Sequence, residues 1–330
     1  MRTTIRDVAR EAGVSIATVS RVMRGSASVT EPTRERVLAV AQELEFVPSQ
    51  LGRQLAERRH AANGIVFPDL SGPYYAEVVL GYEAVAAELG RSVLILSTHG
   101  RQDADAKVLE MAERCDGLVI LGRTVGDTTV ERLAKRGVGL VLVARPAIAT
   151  ADSVNVENRD SAVALAEHLV ARGARDFVFV GDPDGSSEFA ERLEGVEEGF
   201  RRAGSRRRSL ALAARPTEEA GAAVADSVGG VDDLPDAFVC ANDELALGLM
   251  ARLGERGIDV PGDVLVTGWD DVMAARYAGL TTVRQPMREL GGTAARLLDE
   301  LINGSRSEPR HEVLGTELVV RGSTLGKEHA

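Results

Sequence analysis

The sequence predicts two unlike parts: a small all-α helix-turn-helix headpiece, then an α/β body of two lobes built on parallel sheets. Three observations point to this division. Near the amino terminus, two short amphipathic segments flank a tight turn at Gly13-Val14. From residue 64 onward, short apolar runs alternate with helical stretches, the pattern of parallel strands covered on both faces. Charge is also uneven: residues 1–62 hold ten arginines, no lysine and seven carboxylates, a basic segment on a 330-residue chain of net charge −11. That length exceeds one ordinary domain of roughly 100–200 residues.

The headpiece elements follow in order. Thr4 caps a first helix over 4–12, with Asp7 as its capping-box partner and Ile5, Val8, Ala9 and Ala12 on one face. Gly13 ends it. Ser15 caps a second helix running through Arg24, in which Val19 and Val22 face one way and Ile16, Ala17, Ser20, Arg21 and Arg24 the other. A third begins at Thr30, tolerates Pro32 in its first turn, carries Val37, Leu38, Val40, Ala41 and Leu44, and stops at Pro48. The stretch SQLGRQLAERR then has the form of a short helix capped by Ser49, and Gly52 in its interior lowers helix stability by about 1 kcal/mol relative to alanine.

In the body, strands are predicted at 64–67, 92–97, 117–121, 139–143, 177–181, 237–241 and 264–268. Helices fit between them at Tyr75–Leu89, Ala104–Arg114, Asp160–Arg172, Phe189–Ala203 and Leu245–Arg256. Seven or more strands suit two sheets better than one. Cys115 and Cys240 lie far apart inside apolar runs, which points to reduced, buried thiols of a cytoplasmic protein. The amino terminus lacks the apolar core of a secretory signal, and no run approaches the roughly 18 apolar residues of a membrane helix. P-loop, GxGxxG, CxxC and GxSxG motifs are absent, and the five histidines show no metal-ligand spacing. No enzyme activity, metal or cofactor is expected.

The run TIRDVAREAGVSIATVSRVMRG, then VTEPTRERVLAVAQEL, then FVPSQLGRQLAE resembles the DNA-binding headpiece of the LacI/GalR family of bacterial transcription regulators. In that family the second helix lies in the major groove, which implies a DNA side made by Ser15, Ile16, Ala17, Thr18, Ser20 and Arg21. The resemblance adds Thr4, Ile5 and Arg24 to the DNA contacts. Arg21 can pair with guanine O6 and N7, worth about 1–3 kcal/mol of discrimination. Ile16 and Ala17 stand where relatives often carry polar side chains, and they can only touch a thymine methyl or act by shape. Thr18, Ser20, Thr30 and Thr33 suit phosphate oxygens, with helix capping the equal alternative for Thr30. Ser49 and Leu55 belong to a hinge helix, where Leu55 matches a leucine that wedges into the minor groove.

The alternating body resembles the periplasmic-binding-protein-like core of the same family, which holds its ligand between two lobes at the carboxyl ends of the strands. The implied domains are 1–46 for DNA binding, 47–62 for the hinge and 63–330 for ligand binding and dimerisation. The lobes would be 63–160 plus 287–318, and 161–286 plus 319–330. Effector candidates are Tyr74, Tyr75, Arg145, Arg192, Asn242, Trp269, Asp270 and Gln285. The tyrosines either touch ligand or pack the helix start, and Asp243 is either an N-cap or a ligand group. Arg145 follows Ala144, where relatives often have an aspartate, and so would favour an anionic or differently hydroxylated ligand. The implied function is a cytoplasmic homodimeric repressor of sugar-utilisation genes, with allostery linking palindromic double-stranded operator DNA to a sugar-like effector. The alternatives are a co-repressor-dependent regulator responding to a nucleobase, and a binding protein without DNA function.

Overall fold

The computed structural model describes residues 3–23, 25–26, 28–46, 60–204, 210–305 and 308–325. Arg24, Ser49, Leu55 and the rest of the expected hinge helix lie outside these. The chain divides into two units, Met1–Ala61 and Ala62–Ala330.

The first unit holds α1 (Ile5–Glu11), α2 (Ile16–Met23) and α3 (Glu31–Glu43). The Asp7 carboxylate accepts from the Thr4 N–H at 3.0 Å and from the Thr4 hydroxyl at 2.6 Å, which fixes the start of α1. Gly13 turns the chain at φ +64°, and the Val14 N–H reaches the Ala9 carbonyl at 3.0 Å, closing α1 as a Schellman motif. Ser15 Oγ accepts the Thr18 N–H at 3.1 Å and starts α2. Val8, Ala9, Ala12, Val19, Val22, Val37 and Ala41 form the small core. Leu38 was expected in this stripe and is exposed instead, because a helical step of 100° from Val37 carries it out of the core. Thr30 stands at the N-cap of α3 but its hydroxyl lies 3.0 Å from that of Thr33 and makes no cap bond.

The second unit contains two parallel sheets. The first runs in order β11-β5-β4-β3-β1-β2, comprising β1 (Ala62–Phe67), β2 (Ser92–Ser97), β3 (Gly117–Leu121), β4 (Gly139–Val143), β5 (Asp152–Val156) and β11 (His311–Leu314). Strands β1 and β3 are buried at every position, which is why they read as unbroken apolar runs, whereas edge strand β2 is partly exposed. It is flanked by α4 (Pro73–Glu88), α5 (Ala104–Ala112), α6 (Asp127–Lys135) and α12 (Met287–Ile302).

The second sheet has the order β7-β6-β8-β9, with β6 (Val178–Val180), β7 (Leu210–Leu212), β8 (Ala237–Cys240) and β9 (Leu265–Thr267). Helices α7 (Arg159–Ala171), α8 (Ser187–Arg202), α9 (Glu218–Ser227) and α10 (Asp243–Glu255) pack around it, and α11 (Met273–Tyr277) follows β9. An antiparallel pair, β10 (Thr282–Arg284) with β12 (Glu317–Val319), extends this lobe. The chain therefore passes between lobes three times, at 156–159, 284–287 and 314–317. Every strand predicted from the apolar runs is present, and β5, β7, β10, β11 and β12 were not foreseen.

Candidate functional site

A cavity of about 450 Å³ opens where the carboxyl ends of both sheets converge. The first lobe supplies Asp69 from the loop after β1, Tyr74 and Tyr75 from the first turn of α4, His99 after β2, Arg123 after β3 and Ala144 after β4. The second supplies Glu188 and Arg192 from α8, Asn242 after β8, Asp270 after β9 and Gln285 after β10. Of the eight effector candidates, six line this cavity and two do not.

Arg192 is buried, and its guanidinium is fixed on several sides. Nε donates to Asn158 Oδ1 at 2.9 Å, Nη1 donates to the Ala241 carbonyl at 2.6 Å, and Nη2 lies 4.0 Å from Glu188 Oε2. The Trp269 and Phe189 rings face the cation at 4.5 Å and 5.3 Å. Asp270 sits beside it with φ +120°, a region that disfavours a side chain, and Ala144 opposite has φ +57°. Such backbone strain concentrates where the surrounding structure holds a binding group in place. Asp270 Oδ1 accepts from Gln285 Nε2 at 2.5 Å. Burial pushes the Asp270 carboxyl well above its usual range, against the opposing pull of Arg192.

Asn242 is the N-cap of α10, its Oδ1 accepting from the Leu245 N–H at 3.1 Å, while its Nδ2 lies 3.3 Å from Glu244 Oε2. Asp243 is therefore neither cap nor ligand group. Its buried carboxylate accepts from the Val272 N–H at 2.8 Å and the Thr282 hydroxyl at 2.6 Å, and burial raises it to about 7. Tyr74 has a buried hydroxyl without a partner among the described residues, burial pushes its titration well above the usual phenol range, and its ring meets Tyr75 edge-on at 5.3 Å.

Two expectations are corrected. Arg145 turns away from the cavity into an ion pair with Asp127 and donates to the carbonyls of Gly122 and Val125, each at 3.3 Å. Its charge is neutralised inside the first lobe, so it gives no anion site. Trp269 is buried in the second lobe's core behind Arg192. The positive-φ turns at Ala144 and Asp270 follow the strand ends, and they leave those two residues on the cavity while Arg145 and Trp269 turn into their own lobes. Asp69, His99, Glu188 and Glu244 also line the cavity and were not singled out. Asp69 precedes Tyr74 by five residues and Glu188 precedes Arg192 by four, so their proximity in sequence to candidates is the available signal.

In the headpiece unit, Ser15, Ile16, Ala17 and Arg21 are exposed along α2, Thr18 and Ser20 are half-buried, and Val19 and Val22 face the core. Ile16 is 46% exposed, an apolar side chain on the polar face. Thr4 and Thr30 are exposed and Thr33 half-buried, whereas Ile5 packs partly against the core, so its side chain serves packing first.

Comparison with known proteins follows the same division. Residues 4–49 match the family model for bacterial regulatory proteins of the lacI family, and residues 166–324 that for a periplasmic binding protein-like domain. The HTH-type transcriptional regulator RegA of Clostridium saccharobutylicum is 31% identical over 332 residues, covering 98% of this chain and 100% of RegA. The crystal structure of the lac repressor dimer bound to operator and the anti-inducer ONPF matches with a TM-score of 0.85 at 27% identity, covering 99% of this chain and 100% of the other. The complex of the transcriptional regulator CelR with cellobiose matches at 0.72 and 28% identity, over 98% and 100% of the two chains.

Proposed function

The chain belongs to the LacI family of bacterial regulatory proteins, and from that premise we propose a homodimeric cytoplasmic repressor released from its operator by a small sugar-like ligand. As a member of that family it is a ligand-responsive DNA-binding transcription regulator. Residues 1–46 read a palindromic operator through the exposed face of α2, residues 47–62 act as hinge, and residues 63–330 bind effector and dimerise. The observation that carries the effector assignment is the cavity at the strand ends, where the fixed Arg192 fork and the Asp270 carboxylate offer paired donors and acceptors beside Tyr74. Vicinal hydroxyls on an apolar ring suit that arrangement. Relatives solved with ONPF and with cellobiose support this class of ligand. No catalytic step is assigned to the cavity.

Mechanism follows from population shift. Ligand contacts groups from both lobes, so it binds best at one degree of cleft closure and draws the protein toward the conformation that has it. The measurement that tests this is selection of bound sites from random duplex DNA by the full chain, followed by band-shift titration with a sugar panel. A palindromic site whose complex one sugar weakens is expected. Failure to select any specific duplex removes the operator assignment, and a ligand that tightens the complex makes the protein co-repressor-dependent.

A further inference from the structure

We propose that the ligand of this cavity is a cationic polyol, a small hydroxylated ring bearing a protonated amine such as an amino sugar. The proposal rests on the cavity being the effector site and assigns the charge of what fills it.

Carboxylates outnumber guanidinium groups in the cavity lining, with Asp69, Asp182, Glu188, Glu244 and Asp270 against Arg123, Arg192 and Arg215. Asp270 and Glu188 face it from the second lobe, Glu244 stands beside Asn242, and Asp69 enters from the first lobe. The positive groups do not balance them. Arg192 keeps its charge, with Nε and Nη1 donating to Asn158 and the Ala241 carbonyl and two aromatic rings against it, and it approaches Glu188 only to 4.0 Å. Arg123 and Arg215 are exposed, and His99 lies 2.8 Å from Asp69. Burial raises Glu188, Glu244 and Asp270 together, against the pull of Arg192 on Glu188 and Asp270.

A second, independent observation concerns unpartnered polar atoms. Gln285 is 4% exposed and lines the cavity, and since its Nε2 is given to Asp270, its Oε1 is a buried acceptor with no donor among the described residues. The Tyr74 hydroxyl is likewise buried and without a partner among the described residues. Glu188, Asp270 and Gln285 line the same cavity as that hydroxyl. A neutral sugar would satisfy hydroxyl-bonding groups but leave the buried carboxyl groups without a cation, at a cost in desolvation when they ionise. An ammonium removes that cost, donates three hydrogen bonds and gains from neighbouring aromatic faces. A phosphorylated sugar would add to the repulsion.

Calorimetry on the full chain tests this at about pH 6.5, below the roughly 7.7–8.0 at which α-amino groups titrate. The probes are glucosamine, galactosamine and mannosamine, each against its parent hexose, its N-acetyl form and its 6-phosphate. At least one amine is expected to bind about tenfold more tightly than its three counterparts. Glu188→Gln and, in parallel, Glu244→Gln should reduce that preference, with folding checked by circular dichroism. Tighter binding of a parent, N-acetyl or phosphorylated sugar overturns the charge assignment and leaves the effector site standing. Absence of binding by every probe overturns both.

Discussion

Asp243 carries a carboxylate that the fold buries among donors from β10 and the loop before α11, and its titration should be visible in stability. Its folded value of about 7 lies above the ordinary 3.8, chiefly because of burial. Between those values the folded state keeps a proton that the unfolded state has lost. The contribution is fully present below the unfolded value and disappears as pH rises through about 7, by up to about 1.4 kcal/mol per pH unit. Urea unfolding at a series of pH values from 5 to 8 should show this decline, and Asp243→Asn should lack it. Parallel curves for the two proteins would place the titration elsewhere. On the headpiece, Arg21→Ala should lower discrimination at one base pair of each half-site by about 1–3 kcal/mol while leaving nonspecific binding nearly intact. Competition binding with single-base operator variants measures that difference, and an equal loss on all duplexes would make Arg21 a phosphate contact.

At the scale of elements, helix pairs close on glycines. A Cβ at Gly81 of α4 would lie 2.0 Å from the Arg288 carbonyl oxygen of α12, and one at Gly291 of α12 would lie 2.0 Å from that of Val78. The pair α9 and α10 repeats the device at Gly221 and Gly248. Backbone cannot yield as a flexible side chain can. Gly81→Ala should therefore destabilise the body by about 1–3 kcal/mol through overpacking, despite the roughly 1 kcal/mol that alanine gains in helix propensity. Gly254→Ala in α10, where a Cβ meets nothing within 4 Å, should show only the gain. Denaturation midpoints distinguish the two, and equal shifts would refute the close-packing account. These glycines were silent in the sequence, as was β5. Strands buried on both faces announce themselves as apolar runs, but β5 buries Asp152 and Ser153, satisfied by the Arg310 N–H at 2.9 Å and by His311 at 2.9 Å. Partners 158 residues away leave no local pattern. The cavity was legible where a residue type implied its chemistry, as at Arg192 and Asp270. It was misread at Arg145 and Trp269, because which of two neighbours faces the cleft depends on where a strand ends.

At the scale of the whole molecule, the two units are joined by thermodynamics, which imposes a test independent of any structural detail of the link between them. If the cavity ligand changes operator affinity by some factor, commonly about 5–150-fold, the operator must change ligand affinity by the same factor. The body contributes nothing attractive to the duplex in bulk: the chain as a whole is −11, while its first 62 residues carry the basic excess. Long-range charge therefore favours the headpiece as the surface that meets DNA and disfavours the remainder. Operator affinity, read by fluorescence anisotropy with and without saturating ligand, gives the first factor. Calorimetric titration of the ligand into free protein and into protein preloaded on operator gives the second. Equal factors are expected, and they should shrink together when Arg192→Ala weakens the ligand's preference for one cleft geometry. Ligand binding that is strong yet identical in the two titrations would separate the cavity from DNA control, because a ligand with equal affinity for both states shifts neither.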